Sequence, residues 1–233
     1  MRTHRWSFVP LLETEFVLGV RLACRHAVAR TALAWTVGLA AIVRVVSGHA
    51  APDRVSHTIV ALAGLLAAAA VPPLFVRGGP LEALRWTRGR LVAACLARLH
   101  GAVAVALVGA GAAGVVLAGH AGLSPRLAGA ALLHAALVGA LAGALAPRLG
   151  CAFATVCAVL VVAAGAGASE PGAAPPGSPL WTAPGALAVR LIAGHGGLVP
   201  LAGWVGLALL GVWSLARRVE PVTTATGGVR ARV

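Results

Sequence analysis

The chain has 233 residues, a mean hydropathy of +0.91 and a formal net charge of +13. All nineteen basic residues are arginine, and the sequence contains neither lysine nor tyrosine. A G-x-x-x-x-G-K-[ST] phosphate loop and a lysine Schiff base are therefore excluded, because both chemistries require lysine.

Six apolar stretches are each close to the roughly 20 residues that a helix needs to cross about 30 Å of hydrocarbon. They are Ala27–Val46, His57–Val76, Leu99–Ala118, Leu127–Leu145, Cys151–Gly167 and Leu198–Leu215. A backbone in lipid must satisfy its own hydrogen bonds, so these stretches predict helices. The sequence thus predicts an all-α polytopic membrane protein, with six transmembrane helices in a domain over residues 27–215.

The arginines are concentrated in alternate connections between these stretches, and this distribution predicts an orientation. They precede the first span, fill the loop between the second and third spans, and follow the sixth, whereas the opposite loops hold few. Retained positive charge marks the cytoplasmic side of a membrane protein. We therefore expect an inner (plasma) membrane protein with both termini cytoplasmic, including the tail over residues 216–233, and no binding of nucleic acid.

Residues 1–26 predict a cytoplasmic N-terminus with an interfacial amphipathic helix over Pro10–His26. Its acids lie near the positive end of the helix dipole and its arginines near the negative end, as the dipole favours. These charged residues are Glu13, Glu15, Arg21 and Arg25. The segment is expected to lie along the inner leaflet before the first span, either as a functional element or only as an anchor that sets the topology.

A second cytoplasmic helix is predicted at about residues 80–98. Gly78 and Gly79 end the preceding helix, and Pro80 can open the next one. The charged side chains of this helix could contact anionic lipid headgroups or dock into a partner protein. The candidate docking residues are Glu82, Arg85, Arg88 and Arg90.

Residues 168–197 predict a cap on the outer side of the membrane. A stretch rich in Pro and Gly comes first and is expected to be irregular. Ala186–Ala193 is apolar but too short to span, so it predicts a re-entrant or interfacial helix. Such a cap could shield a lipid-like substrate, or it could be a packed plug.

The order of these segments resembles the membrane subunit of type-2 ABC exporters. Pro80–Ala106, PLEALRWTRGRLVAACLARLHGAVAVA, is similar to the family's P-x-S-R-x-x-x-x-x-G-K loop, which runs into the third span. Pro179–Arg217 is similar to the outer segment and last helix of the same family. The chain departs from the loop pattern at Arg98 or His100, where a small residue or lysine is expected.

The resemblance implies a permease that acts as a homo- or heterodimer and is driven by a separate cytoplasmic ATPase subunit. No catalytic residue, metal or cofactor is then expected on this chain. Glu82–Arg90 would be the coupling helix and Pro10–His26 the connecting helix. Because the predicted spans hold no deep acid, a hydrophobic or amphipathic substrate is favoured.

Histidine carries the alternative, a non-transport membrane protein that binds metal or haem as an assembly factor or cytochrome. His134 lies inside the fourth predicted span, where a polar residue is a functional candidate. Imidazole can bind zinc, copper or haem iron. The other histidines of this hypothesis map to outer loops or span ends: His49, His57, His120 and His195. No H-x-x-x-H or Cys–His spacing accompanies them.

Overall fold

The computed structural model describes residues 8–47, 52–76, 91–118, 124–168, 184–192 and 198–218. Every regular element in these ranges is helical, which confirms the all-α prediction for them. The α-helices are α1 (Phe8–Arg25), α2 (Ala27–Ser47), α3 (Pro52–Ala70), α4 (Leu91–Ala118), α5 (Pro125–Ala168), α6 (Pro184–Ile192) and α7 (Leu198–Arg218). A short 3-10 helix, Pro72–Phe75, follows α3.

Four helical stretches in the described ranges are long and apolar enough to cross a membrane. They are Ala27–Val46, Val55–Phe75, Leu91–Ala118 and Pro125–Gly165. Val199–Ser214, within α7, is a shorter apolar helix. The fourth and fifth predicted spans both fall in α5 and the sixth falls in α7, so a membrane-embedded protein is compatible with this fold.

Gly150 divides α5 into two arms. Its φ of 79° and ψ of 169° are not helical, and this φ lies in the left-handed region that favours glycine. A Cβ atom added at Gly64 of α3 would overlap the ring of His134 and lie 3.0 Å from Val162 Cγ2. In a straight helix these two α5 residues, 28 positions apart, would be separated by about 42 Å. The chain therefore folds back at Gly150, and residues 125–149 and 151–168 form a helical hairpin.

Small residues allow the hairpin to pack tightly against α4 and against the segment Val71–Phe75 that follows α3. A Cβ atom at Gly139 would lie 3.2 Å from Val71 and 3.3 Å from Leu99. At Gly143 it would lie 3.2 Å from both Val71 and Phe75. The G-x-x-x-G motif formed by these glycines therefore serves packing within the chain, where small residues let helices approach closely.

Large apolar side chains remain exposed on the outer faces of α2 and α7. Trp35 and Val45 on α2 are 65% and 84% exposed, and Val199 on α7 is 84% exposed. Monomeric soluble proteins rarely leave wide apolar faces uncovered, whereas lipid or another membrane helix can cover them. These faces agree with an environment of lipid.

Two hydrogen bonds between helices show which helix ends lie together. Arg44 Nη1 of α2 donates to the Leu117 carbonyl of α4 over 2.9 Å, which joins the C-terminal ends of these helices. At the turn of α5, Arg148 Nη2 donates to Ser214 Oγ of α7 over 2.6 Å. The predicted topology likewise puts the two helix ends of each pair on one side of the membrane. The assignment of one side to the cytoplasm stays a prediction from the charge distribution.

Candidate functional site

The structure describes part of the predicted site. Glu13, Arg21 and Arg25 lie on α1, and their side chains are exposed. The predicted docking residues Glu82, Arg85, Arg88 and Arg90 fall within residues 77–90, outside the described ranges. His49, His120, His195 and most of the predicted outer cap also fall outside them. The described candidate site therefore comprises α1, α4 and the helices around His134.

A buried ion pair joins α1 to α4. Arg98 Nη2 and Nε both donate to Oε2 of Glu15, over 2.6 Å and 2.9 Å. The Arg98 side chain is 0% exposed and that of Glu15 is 9% exposed. Hydrogen bonds between two ionised groups are about twice as strong as those between neutral groups. The pair therefore connects two helices that lie far apart in the sequence.

Because both charged groups are buried, breaking this pair would strongly lower stability. Each charge loses its hydration when the helices pack, and the attraction of the partner charge offsets part of that loss. Removing one partner leaves an uncompensated buried charge, which typically costs about 3–5 kcal/mol. Glu15 and Arg98 consequently stabilise the contact of α1 with α4 only as a pair.

Glycine on each helix brings the two backbones into contact beside the pair. A Cβ atom at Gly19 of α1 would overlap the backbone carbonyl oxygen of Arg98. A Cβ atom at Gly101 of α4 would overlap the carbonyl oxygen of Phe16 and lie 2.9 Å from the nitrogen of Val20. No larger residue fits either position without separating the helices. The first part of α4 and the middle of α1 therefore form one close-packed unit, which we call the α1–α4 junction.

An open groove of about 540 Å³ lies along this junction. Leu12 and Phe16 of α1 and Leu96 of α4 supply apolar surface, and Glu13 and His100 are its polar members. The His100 Nδ1 atom lies 2.6 Å from the Leu96 carbonyl oxygen, so the ring can donate a hydrogen bond within its own helix. The exposed predicted residue Glu13 thus borders a surface that can receive an apolar group.

His134 forms the second polar feature inside the bundle. Its side chain is 0% exposed, and among the described residues neither ring nitrogen has a hydrogen-bond partner of ordinary geometry. The backbone of Pro184 lies beside the ring. Gly64 of α3 and Gly185 of α6 also approach it, since a Cβ atom at Gly64 would overlap Nε2 and one at Gly185 would lie 3.3 Å from Cε1. The ring is enclosed by three helices.

Metal binding was part of the alternative hypothesis built on histidine. Within the described ranges, no group of three or more His, Cys, Asp or Glu side chains could hold a metal ion. The backbone of Gly64 also lies against Nε2 of His134, the nitrogen that a ligand would approach from that side. This packing offers no support for a haem or metal ligand at His134.

Sequence reasoning did not anticipate the Glu15–Arg98 pair. Glu15 was explained by the helix dipole, and Arg98 only as a departure from a family pattern. A usable signal was present, because Arg98 is the one charged residue in α4, whose other residues are apolar or small apart from His100. A charge inside such a helix requires a partner, and only six acids are available in the chain.

The α1–α4 junction is thus the best-defined candidate site, because it combines buried charges, close backbone contact and an open groove. No protein-family model, curated protein or solved structure matches the chain.

Proposed function

We propose that this chain is the membrane-spanning permease subunit of an ATP-driven ABC exporter, as the sequence resemblance implies. In this proposal the six crossings are α2, α3, α4, the two arms of α5, and α7. The subunit acts as a homo- or heterodimer, and a separate cytoplasmic subunit hydrolyses ATP. Both termini face the cytoplasm.

The α1–α4 junction is the observation that carries the proposal. An exporter must transmit the movement of its ATPase to the helices that line the transport path. α4 begins at Leu91, directly after the predicted docking residues of 82–90. Arg98 lies seven residues further, or about 10 Å along the helix. Through its pair with Glu15, a push on the start of α4 would reach α1 without a flexible joint.

The distribution of buried charge supports a hydrophobic or amphipathic substrate. Among the described residues, the buried polar or charged side chains are Glu15, Thr36, Arg98 and His134. The two charges in this group neutralise each other. A path through such a bundle offers little to stabilise an ion, for which burial without a partner is costly.

Charge reversal at the predicted docking residues tests the proposal. The double substitution Arg85→Glu and Arg88→Glu should abolish the ATPase activity that the complex shows in lipid vesicles. Reversing these charges would make the docking surface repel the acidic groups of the ATPase subunit that the arginines are proposed to attract. Membrane insertion should be retained. The matched control, Arg230→Glu with Arg232→Glu, makes the same charge change in the tail and should leave the activity unchanged. Full activity in the docking variant would overturn the docking assignment.

A further inference from the structure

The polar atoms of His134 are the feature that the proposed function leaves unexplained. Buried polar groups in proteins almost always have a hydrogen-bond partner, and an unpaired one costs about 1–3 kcal/mol. Among the described residues neither ring nitrogen makes a hydrogen bond of ordinary geometry, although the backbone of Pro184 in α6 lies close enough to act as a weak partner while α6 covers the ring. A neutral imidazole has one N–H donor and one acceptor nitrogen. The position can therefore both give and receive a hydrogen bond.

The side chains around the ring are apolar, and several of them are small. Gly64 lies against Nε2, and Val162 of the second α5 arm is next to the same glycine. Glycine at 64 is required, because any Cβ atom there would overlap the imidazole. Val138 and Ala142, on the turns of α5 that follow His134, belong to a fully buried apolar cluster with Val162. A charged ligand would be costly in this setting, whereas a neutral hydroxyl group would not.

The short helix α6 covers the ring and is the element that could expose it. It has nine residues, Pro184–Ile192. Its Gly185 packs directly against Gly165 of the second arm of α5. A Cβ atom at Gly165 would lie 3.0 Å from the nitrogen of Gly185. Leu187 and Ala188 of α6 are 1% and 0% exposed. Withdrawal of this one short helix would open the site without separating the long helices.

We propose that His134 is the polar contact of a binding site for an apolar molecule that carries a hydroxyl group, with α6 as its cover. The hydroxyl group pairs with Nδ1, either by accepting from its N–H or by donating to its lone pair, because the backbone of Gly64 occupies the Nε2 side of the ring. The apolar body lies against Val162 and the small residues of α3 and α6. The structure represents the covered state of this site.

This inference rests on the proposed function only for the claim that the bound molecule is a transported one. Binding itself requires no ATPase and can be measured on the chain alone. A chain that binds the molecule but has no ATPase partner would contradict the exporter and leave the site intact. A chain that copurifies with an ATPase subunit but does not bind the molecule would contradict the site and leave the exporter proposal standing.

Photolabelling of the purified full chain in lipid nanodiscs tests the site. The probe is a twelve-carbon alcohol bearing a diazirine, and the matched probe is the same diazirine chain without the hydroxyl group. We expect the alcohol to label peptides that contain Val162 or Pro184–Ala188, as identified by mass spectrometry. Excess 1-dodecanol should suppress this labelling, and dodecane should not. Equal labelling by both probes, or equal competition, would overturn the proposal.

Substitution at the ring provides the second arm of the test. His134→Leu should lower labelling by about tenfold, the ratio expected for one hydrogen bond. His134→Gln should retain most of it, since the amide also offers a donor and an acceptor. His100→Leu, the same change at the exposed histidine of α4, should have no effect on these peptides. Unchanged labelling of His134→Leu would refute the role of the ring. If that variant fails to insert, the competition result on the unaltered chain decides.

Discussion

Replacing Arg98 by methionine would leave the Glu15 carboxylate buried without its partner. Water cannot compensate, because the two side chains are 0% and 9% exposed and both hydrogen bonds to Oε2 would be lost. Breaking a buried ion pair in this way costs about 3–5 kcal/mol. Total stabilities of proteins are about 5–15 kcal/mol, so the change would remove a large share. We expect α1 to separate from α4 well before the rest of the bundle unfolds.

Cys95 reports this separation directly. It is fully buried in α4, three residues before Arg98. With Cys24, Cys151 and Cys157 changed to serine, a fluorescent maleimide can reach only this thiol. The thiol should react slowly in the parent chain and at least about a hundredfold faster in Arg98→Met, the ratio that corresponds to about 3 kcal/mol.

A double-mutant cycle separates the ion pair from simple loss of packing. Glu15→Leu alone should be as damaging as Arg98→Met, whereas the double variant should recover much of the loss because no charge stays buried. The coupling free energy should exceed about 1.5 kcal/mol. Arg21→Met, at an exposed position of α1, is the control and should change stability by less than about 0.5 kcal/mol. Additive effects of the two single substitutions would refute the account of the junction.

Three further substitutions test the glycine positions. Gly101→Ala should expose Cys95 to the maleimide in the same way as Arg98→Met, because its Cβ atom would overlap the Phe16 carbonyl oxygen; protection equal to that of the parent would contradict the close contact. Gly150→Ala should lower stability by about 1–2 kcal/mol in thermal unfolding, because its φ of 79° is strained for alanine. Gly111→Ala serves as the control, since nothing lies within 4 Å of its Cβ position, and it should change stability by less than about 1 kcal/mol. An equal loss in both would argue against the turn.

Hydrophobic runs and helix breakers predicted the local structure well, because both are properties of adjacent residues. The break between the fourth and fifth predicted spans coincides with Gly150, where Pro147 also precedes the turn. α1 covers most of the helix predicted over Pro10–His26, and α6 covers most of the short helix predicted over Ala186–Ala193. The long apolar helices likewise follow from composition alone.

The contacts between helices could not be predicted in the same way. Glu15 and Arg98 are 83 positions apart, and no local pattern shows that one faces the other. The same holds for His134, which the sequence puts inside a predicted span but whose enclosure by Gly64 and Gly185 depends on three helices meeting. The ATPase partner stays a prediction, and so does the docking role of Glu82, Arg85, Arg88 and Arg90. Periodicity identifies helices, whereas the partner of a buried polar group is fixed only by tertiary packing.

Copurification tests the central claim most directly. The tagged full chain would be isolated in mild detergent from its native host, and the accompanying chains identified and quantified by mass spectrometry. The account predicts a stoichiometric partner that carries a phosphate-binding loop with the lysine that this chain lacks. Isolation of the chain alone, or with redox proteins and a bound metal or haem, would contradict the exporter.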